Sequence, residues 1–141
     1  MNDHARHFEL LRSLAGHGVR FVTVGSAGLV LAYEEHGYAL GDVDVLLPRG
    51  ELGALVAWAQ GRGGVVTVWG EPWTPQLDVT GKHYVRARFG ELQLDASFED
   101  PDFDIDALVR DARWLDGIPV CPERELWAGK FRKDPEGART F

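Results

Sequence analysis

The sequence predicts an α+β fold, a mixed α/β sheet flanked by helices, in a single domain over residues 1–141. Three observations predict it. Short apolar runs alternate with amphipathic segments through the first half of the chain. The second half turns to paired, alternating segments around Gly-containing turns. No internal repeat, low-complexity tract or linker breaks the pattern. Early helix–strand alternation followed by hairpins argues for a mixed sheet over a doubly wound one. The composition agrees, with 45% hydrophobic and 26% charged residues, ordinary values for a globular chain.

The elements follow in order. Asn2 or Asp3 is placed to cap a first helix whose stripe is Phe8, Leu10, Leu11 and Leu14. The glycines at 16 and 18 end it, and residues 19–24 read as a buried strand. Residues 26–35 form a second helix, with Ala27, Val30 and Leu31 toward the sheet and Glu34, Glu35 and His36 toward solvent. Residues 43–47 form a buried strand closed by Pro48. Residues 51–60 form a third helix, with Leu52, Leu55, Val56 and Ala59 inward. Residues 65–69 read as a strand, 70–76 as an irregular loop and 77–80 as a short strand. Residues 84–89 and 92–98 form a hairpin around Gly90-Glu91. After an acidic loop and a short helix to residue 110, Asp116-Gly117 marks a second hairpin, and Pro122-Glu123 opens a closing helix over residues 124–132.

A net charge of -7 argues against a broad basic face for extended nucleic acid. A local site can still oppose the overall sign. The single cysteine, Cys121, allows no intrachain disulfide and points to a reducing compartment. MNDHARHFELL lacks the basic and apolar regions of a signal peptide, and no run is long enough to span a bilayer. The expectation is a cytoplasmic protein with no membrane partner.

The chemistry centres on residues 21–48. Asp42 and Asp44 lie two apart on a strand and so project to one face. Paired carboxylates repel unless a cation sits between them, and hard oxygen ligands suit Mg²⁺. Without such an ion they are two surface acids at the start of a strand. Gly25-Ser26 stands between a buried strand and a helix, where glycine allows close backbone approach and free N–H groups favour an anion. Ser26 also has the plain role of an N-cap. Asp95 ends an alternating segment, and two placements stay open for it. It either turns in beside Asp42 and Asp44 or follows Gln93 and Ser97 outward, as strand parity favours.

Taken in order, Val24-Gly25-Ser26, a helix, Asp42-Val43-Asp44 and the strand residue Asp95 resemble the nucleotidyltransferases of the DNA polymerase beta superfamily. Leu126-Trp127-Ala128-Gly129-Lys130, with Arg132-Lys133-Asp134, is similar to the closing helix of small bacterial members, minimal and abortive-infection-type nucleotidyltransferases. The resemblance covers about residues 19–134. It implies that Asp42, Asp44 and Asp95 bind two Mg²⁺ ions, with Asp95 also assisting deprotonation of an acceptor. It implies that Gly25, Ser26 and Lys130 hold a nucleoside triphosphate, with Arg88 a second basic candidate. A nucleoside monophosphate would pass to a hydroxyl or similar group on a small molecule or protein, releasing pyrophosphate. The sequence departs from the family before D-x-D, where Tyr38-Ala39-Leu40-Gly41 replaces the usual basic residue and Thr or Ser. Little chain remains for a separate acceptor-binding helical domain, so a homodimer or a partner protein would complete the site. The alternative is a non-catalytic binding protein on the same fold, an antitoxin-like or regulatory partner.

Other patterns carry less. A dinucleotide-binding G-x-G-x-x-G starting at Gly25 would need glycine at Ala27 and Val30. A calcium loop at residues 100–106 would need glycine at Ile105 and is interrupted by Pro101. His4 and His7 read as part of a mobile terminus, and Cys121 as a packing residue. Trp69 and Trp73 flank a Pro-rich loop and are placed to wall an acceptor pocket.

Overall fold

The structure, a computed structural model, describes residues 4–34, 40–133 and 136, without the side chains of residues 130–133. One eight-stranded mixed sheet organises it, in the order β4-β3-β5-β6-β2-β1-β8-β7. Its central strands are β1 (Val22–Val24), β2 (Val43–Leu46) and β6 (Leu92–Ser97). Beyond β6 lie β5 (Tyr84–Phe89), β3 (Val65–Val68) and the two-residue β4 (Glu71–Pro72). Beyond β1 lie β8 (Ile118–Val120) and the edge strand β7 (Arg113–Leu115). The helices are α1 (His4–Gly16), α2 (Gly25–Tyr33), α3 (Leu52–Gly61), α4 (Ile105–Arg110) and α5 (Glu123–Lys133). A 3-10 turn, Arg49–Glu51, leads into α3.

Both hairpins form as the turn residues dictate, β5 with β6 across Gly90 and β7 with β8 across Asp116-Gly117. Asp116 and Gly117 both take positive φ, 53° and 78°, as a tight two-residue hairpin turn requires. Residues 77–80 do not become a strand. The short β4 forms at Glu71–Pro72 instead, with β3 as its partner. Proline lacks an N–H, so this strand can exist only at an edge. α4 starts where Asp104 accepts a hydrogen bond from the Ala107 N–H at 3.1 Å, an N-cap within the acidic loop.

Alternation sets the core. Val43, Val45, Leu94, Ala96, Val85 and Ala87 share one face of the sheet and are fully buried. Leu10, Leu11 and Leu14 of α1 and Leu55, Val56 and Ala59 of α3 join them, as the helical stripes require. His4 and His7, expected on a mobile terminus, are instead 3% and 2% exposed and belong to the inward stripe of α1. The expected Asn2 or Asp3 cap lies outside the described residues.

Two inward positions of α2 are Ala27 and Val30, as its pattern suggests, but Leu29 is also buried and Leu31 only partly so. The helix is apolar almost all round because α5 covers its outer side. Leu126 of α5 packs against Gly28, where a Cβ would come within 2.6 Å of Leu126 Cδ2 and 3.1 Å of the Thr23 carbonyl oxygen. At the end of α2 the Tyr33 hydroxyl donates to Glu123 and accepts from Trp127 Nε1 at 2.8 Å. Gly28 therefore lets three elements meet: β1 below, α2 itself and α5 above. Replacing it with valine should overpack this junction and cost about 2 kcal/mol. In urea unfolding of Gly28→Val the midpoint should fall with an unchanged slope; a midpoint equal to that of the parent would refute the close packing.

Candidate active site

Sheet register brings the three acids together. β1 runs antiparallel to β2 with Val24 opposite Asp44, so the chain leaves β1 at Gly25 beside the first turns of β2. β2 runs parallel to β6 with Asp44 opposite Asp95. Asp42, immediately before β2, has the same parity as Asp44. One carboxylate oxygen from each of Asp42, Asp44 and Asp95 lies within 4.8 Å of the others, and all three side chains are half-buried. Asp95 keeps the parity of Gln93 and Ser97, as its strand register favours, and still joins the triad, because Asp42 and Asp44 occupy that same face. The outward and convergent placements are one placement.

This face is open across β5 and β6 but closes along β1 and β2. Further along, Val22 stands opposite Leu46, on the same side as Asp44, and both are buried. Beyond the acids the β1–β2 part of this face is therefore closed by apolar packing. Half-burial leaves the three side chains in contact with solvent, and their crowding favours a neighbouring positive charge.

Part of that counter-charge comes from β5. Arg86 lies directly across from Asp95, with Nε 2.9 Å from Oδ1 and Nη2 3.4 Å from Oδ2. The hydrogen bond to Asp95, then its charge, holds the Arg86 guanidinium more firmly protonated, and Asp42 adds to the effect. Gln93 spans the acids, its amide nitrogen 3.4 Å from an oxygen of both Asp42 and Asp95. Neither residue stands out in the sequence. The cue was cross-strand pairing: a hairpin closed at Gly90-Glu91 sets Arg86 opposite Asp95 and Arg88 opposite Gln93.

Gly25 takes φ +65°, and a Cβ there would come 3.1 Å from Asp44 Oδ2. The turn thus brings bare backbone against the acid. α2 begins at Gly25, one residue earlier than the sequence suggests, and has no acidic residue in its first turn. Val24 is its N-cap, with no side-chain cap bond, so the N-cap role considered for Ser26 does not apply. Ser26 stands in the first turn, half-buried. Lys130 falls on α5, but its side chain lies outside the described residues. Arg88 and the two acids' neighbours Gly41, Gly90, Glu91, Leu92 and Gln93 line an open cavity of about 520 Å³ that reaches Asp42.

The remaining candidates lie elsewhere. Trp69 is exposed on the turn after β3, its ring 5.4 Å from that of His83, with β5 and β6 between β3 and the acids of β2. Cys121 is buried beside β8, and burial pushes its thiol up to about 12. No helix among the described residues is long and apolar enough to cross a membrane.

The donor set fits a divalent cation. Three hard carboxylate oxygens converge within a span that Mg²⁺, bound at about 2.1 Å, can bridge with small side-chain rotations. The absent Cβ of Gly25 leaves the adjoining space clear.

This architecture, with a mixed sheet carrying three acids beside a strand–Gly–helix turn, is the nucleotidyltransferase fold. A candidate nucleotidyltransferase from Thermotoga maritima matches over 99% of this chain and 92% of its own, with a TM-score of 0.64 and 14% identity. ANT(2")-Ia, in complex with adenylyl-2"-tobramycin, matches over 99% of this chain and 80% of its own, at 0.58 and 17% identity. JHP933 from Helicobacter pylori matches over 96% of this chain, at 0.56 and 15% identity; the chain spans 60% of that protein's length. No family model and no curated protein sequence matches the chain.

Two outcomes follow from the geometry. Gly25→Ala, strained by its φ and crowded against Asp44, should lower unfolding stability by about 1–2 kcal/mol; an unchanged thermal midpoint would show that the turn tolerates a side chain. At pH 8 the native Cys121 thiol should react with a disulfide reagent about a thousandfold more slowly than the urea-unfolded chain, since so little thiolate is present. Equal rates would show an accessible thiol.

Proposed function

We propose that the protein transfers a nucleoside monophosphate from a nucleoside triphosphate to a hydroxyl or similar group on a small molecule or protein. The single observation that carries this reading is the convergence of Asp42, Asp44 and Asp95 within 4.8 Å beside the Gly25 turn. The neighbours' fold supports it, and the adenylylated small molecule held by ANT(2")-Ia supports a small-molecule acceptor.

In this reading Asp42, Asp44 and Asp95 hold the divalent cations, which are Mg²⁺. Bound there, such ions would supply charge neutralisation for the attacking and leaving oxygens. The first N–H groups of α2, at Gly25 and Ser26, receive the triphosphate, because a helix N-terminus with no acidic residue in its own first turn can hold an anion beside a cation bound at Asp44. That places the triphosphate on the β1 side of the triad. The cavity lined by Arg88, Gln93 and Asp42 opens on the β6 side and admits the acceptor. The two sides suit an in-line displacement. A bond forms from the acceptor oxygen to the α-phosphorus, the bond from that phosphorus to the bridging oxygen breaks, and pyrophosphate leaves. Asp95 takes the acceptor's proton.

The test is calorimetric titration of a non-hydrolysable triphosphate analogue with and without Mg²⁺. Binding should require Mg²⁺ and weaken at least tenfold in Asp44→Asn, about 1.4 kcal/mol or more. Binding that ignores both Mg²⁺ and the substitution would remove the basis for the proposal. Incubation with each labelled triphosphate and Mg²⁺ then identifies the base transferred.

A further inference from the structure

Resting on that reading, we propose that Arg86 is a resident counter-ion. It holds Asp95 in the triad before any cation arrives and keeps the affinity of the site for a free divalent ion low. The cation is thereby taken up together with its triphosphate.

The geometry carries the argument. Three carboxylates with oxygens within 4.8 Å of one another repel unless a positive charge stands beside them. Arg86 approaches Asp95 with two nitrogens, at 2.9 and 3.4 Å, which fixes the plane of that carboxylate as well as its position. Its own place is set by the β5–β6 register, and its guanidinium also lies 6.0 Å from the ring centroid of Tyr84. The side chain of Asp95 is 16% exposed and that of Arg86 is 37% exposed, so the charge acts in a partly desolvated setting where screening is incomplete. Gln93 adds a neutral donor between Asp42 and Asp95 without changing the sum.

The same charge that steadies the acids opposes an incoming cation. Arg86 sets one positive charge against the acids; without it, the negative charge that faces the ion is greater by one. Removing the guanidinium should therefore tighten binding of the bare ion while loosening the ion-free protein. A side chain that merely packed would give the second effect and not the first. A triphosphate brings its own negative charge and offsets the repulsion from Arg86. The parent should accordingly bind the ion much better in the presence of a triphosphate analogue than alone.

The test uses the full chain and Mn²⁺ as the probe. Mn²⁺ affinity is followed by water-proton relaxation at low ionic strength, with and without a non-hydrolysable triphosphate analogue. Arg86→Gln should bind Mn²⁺ alone about fivefold more tightly than the parent, a change expected for loss of one nearby charge. Its ion-free thermal midpoint should fall and recover as Mn²⁺ is added. Arg86→Lys, which keeps the charge, should bind Mn²⁺ alone within about twofold of the parent. Equal or weaker Mn²⁺ binding by Arg86→Gln would overturn the proposal, as would equal tightening in Arg86→Lys. A chain of Arg86→Gln that stays unfolded in saturating Mn²⁺ would overturn it too, since one counter-ion should replace another. These failures are separable from failure of the transferase reading. If the parent binds no Mn²⁺ even with the analogue, both fall. If it binds Mn²⁺ with the analogue and loses it in Asp44→Asn, only the counter-ion role is at stake.

Discussion

Mutual repulsion among Asp42, Asp44 and Asp95 is the constraint around which the rest of the structure is arranged. At the separations observed, each pair opposes folding by on the order of 3 kcal/mol at an effective dielectric of about 20. The sheet imposes this proximity through register alone. Antiparallel β1–β2 pairing places the Gly25 turn against Asp44, and parallel β2–β6 pairing places Asp95 beside it. A one-residue slip in either pairing would send the acids to the buried face, where Val43, Val45, Leu94 and Ala96 stand. The apolar face thus fixes the register, and the register fixes the site.

That register is steadied by packing on the β1 side of the acids. Thr23 is at the centre of β1, its carbonyl accepting from the Cys121 N–H of the β8 side and lying close under Gly28 of α2. Leu126 of α5 closes over the same point, and Tyr33, Glu123 and Trp127 tie the ends of α2 and α5 together. The position of Gly25 depends on α2, and α2 is held by α5 more than by its own short length. Packing at Gly28 and charge at Asp44 are coupled through one helix.

Much of this was legible in the sequence, and the reasons differ by element. The two hairpins, the strand before Gly25 and the strand after Asp42 were readable because turn glycines and period-2 burial are local signals. Asp42 and Asp44 were readable for the same reason, since two residues on one strand need no tertiary information to share a face. The inward face of α2 was harder: a helix covered on two sides has no single stripe, and its partner α5 is some ninety residues away. β4 in place of a strand at residues 77–80 is a choice of edge pairing, which few side chains specify. His4 and His7 looked like terminal polar residues, yet their spacing places them on the same stripe as Leu11 and Leu14, so the helical period outweighed polarity. Arg86 and Gln93 were invisible as site residues because their roles exist only across a strand pair.

Asp95 shows how a local rule can be right while the inference drawn from it is too narrow. Parity assigned it to the side of Gln93 and Ser97, and an outward residue ordinarily means a solvated one. On this sheet the outward side is divided: closed where Val22 meets Leu46, open where Asp44 meets Asp95. A carboxylate there is neither core nor free surface. It stays partly hydrated, yet it is crowded enough that a neighbour of opposite charge acts on all three acids together. That intermediate setting lets a single arginine on an adjoining strand matter. In bulk water its charge would be screened, and in a dry core the cost of burying four charged groups would outweigh their attraction.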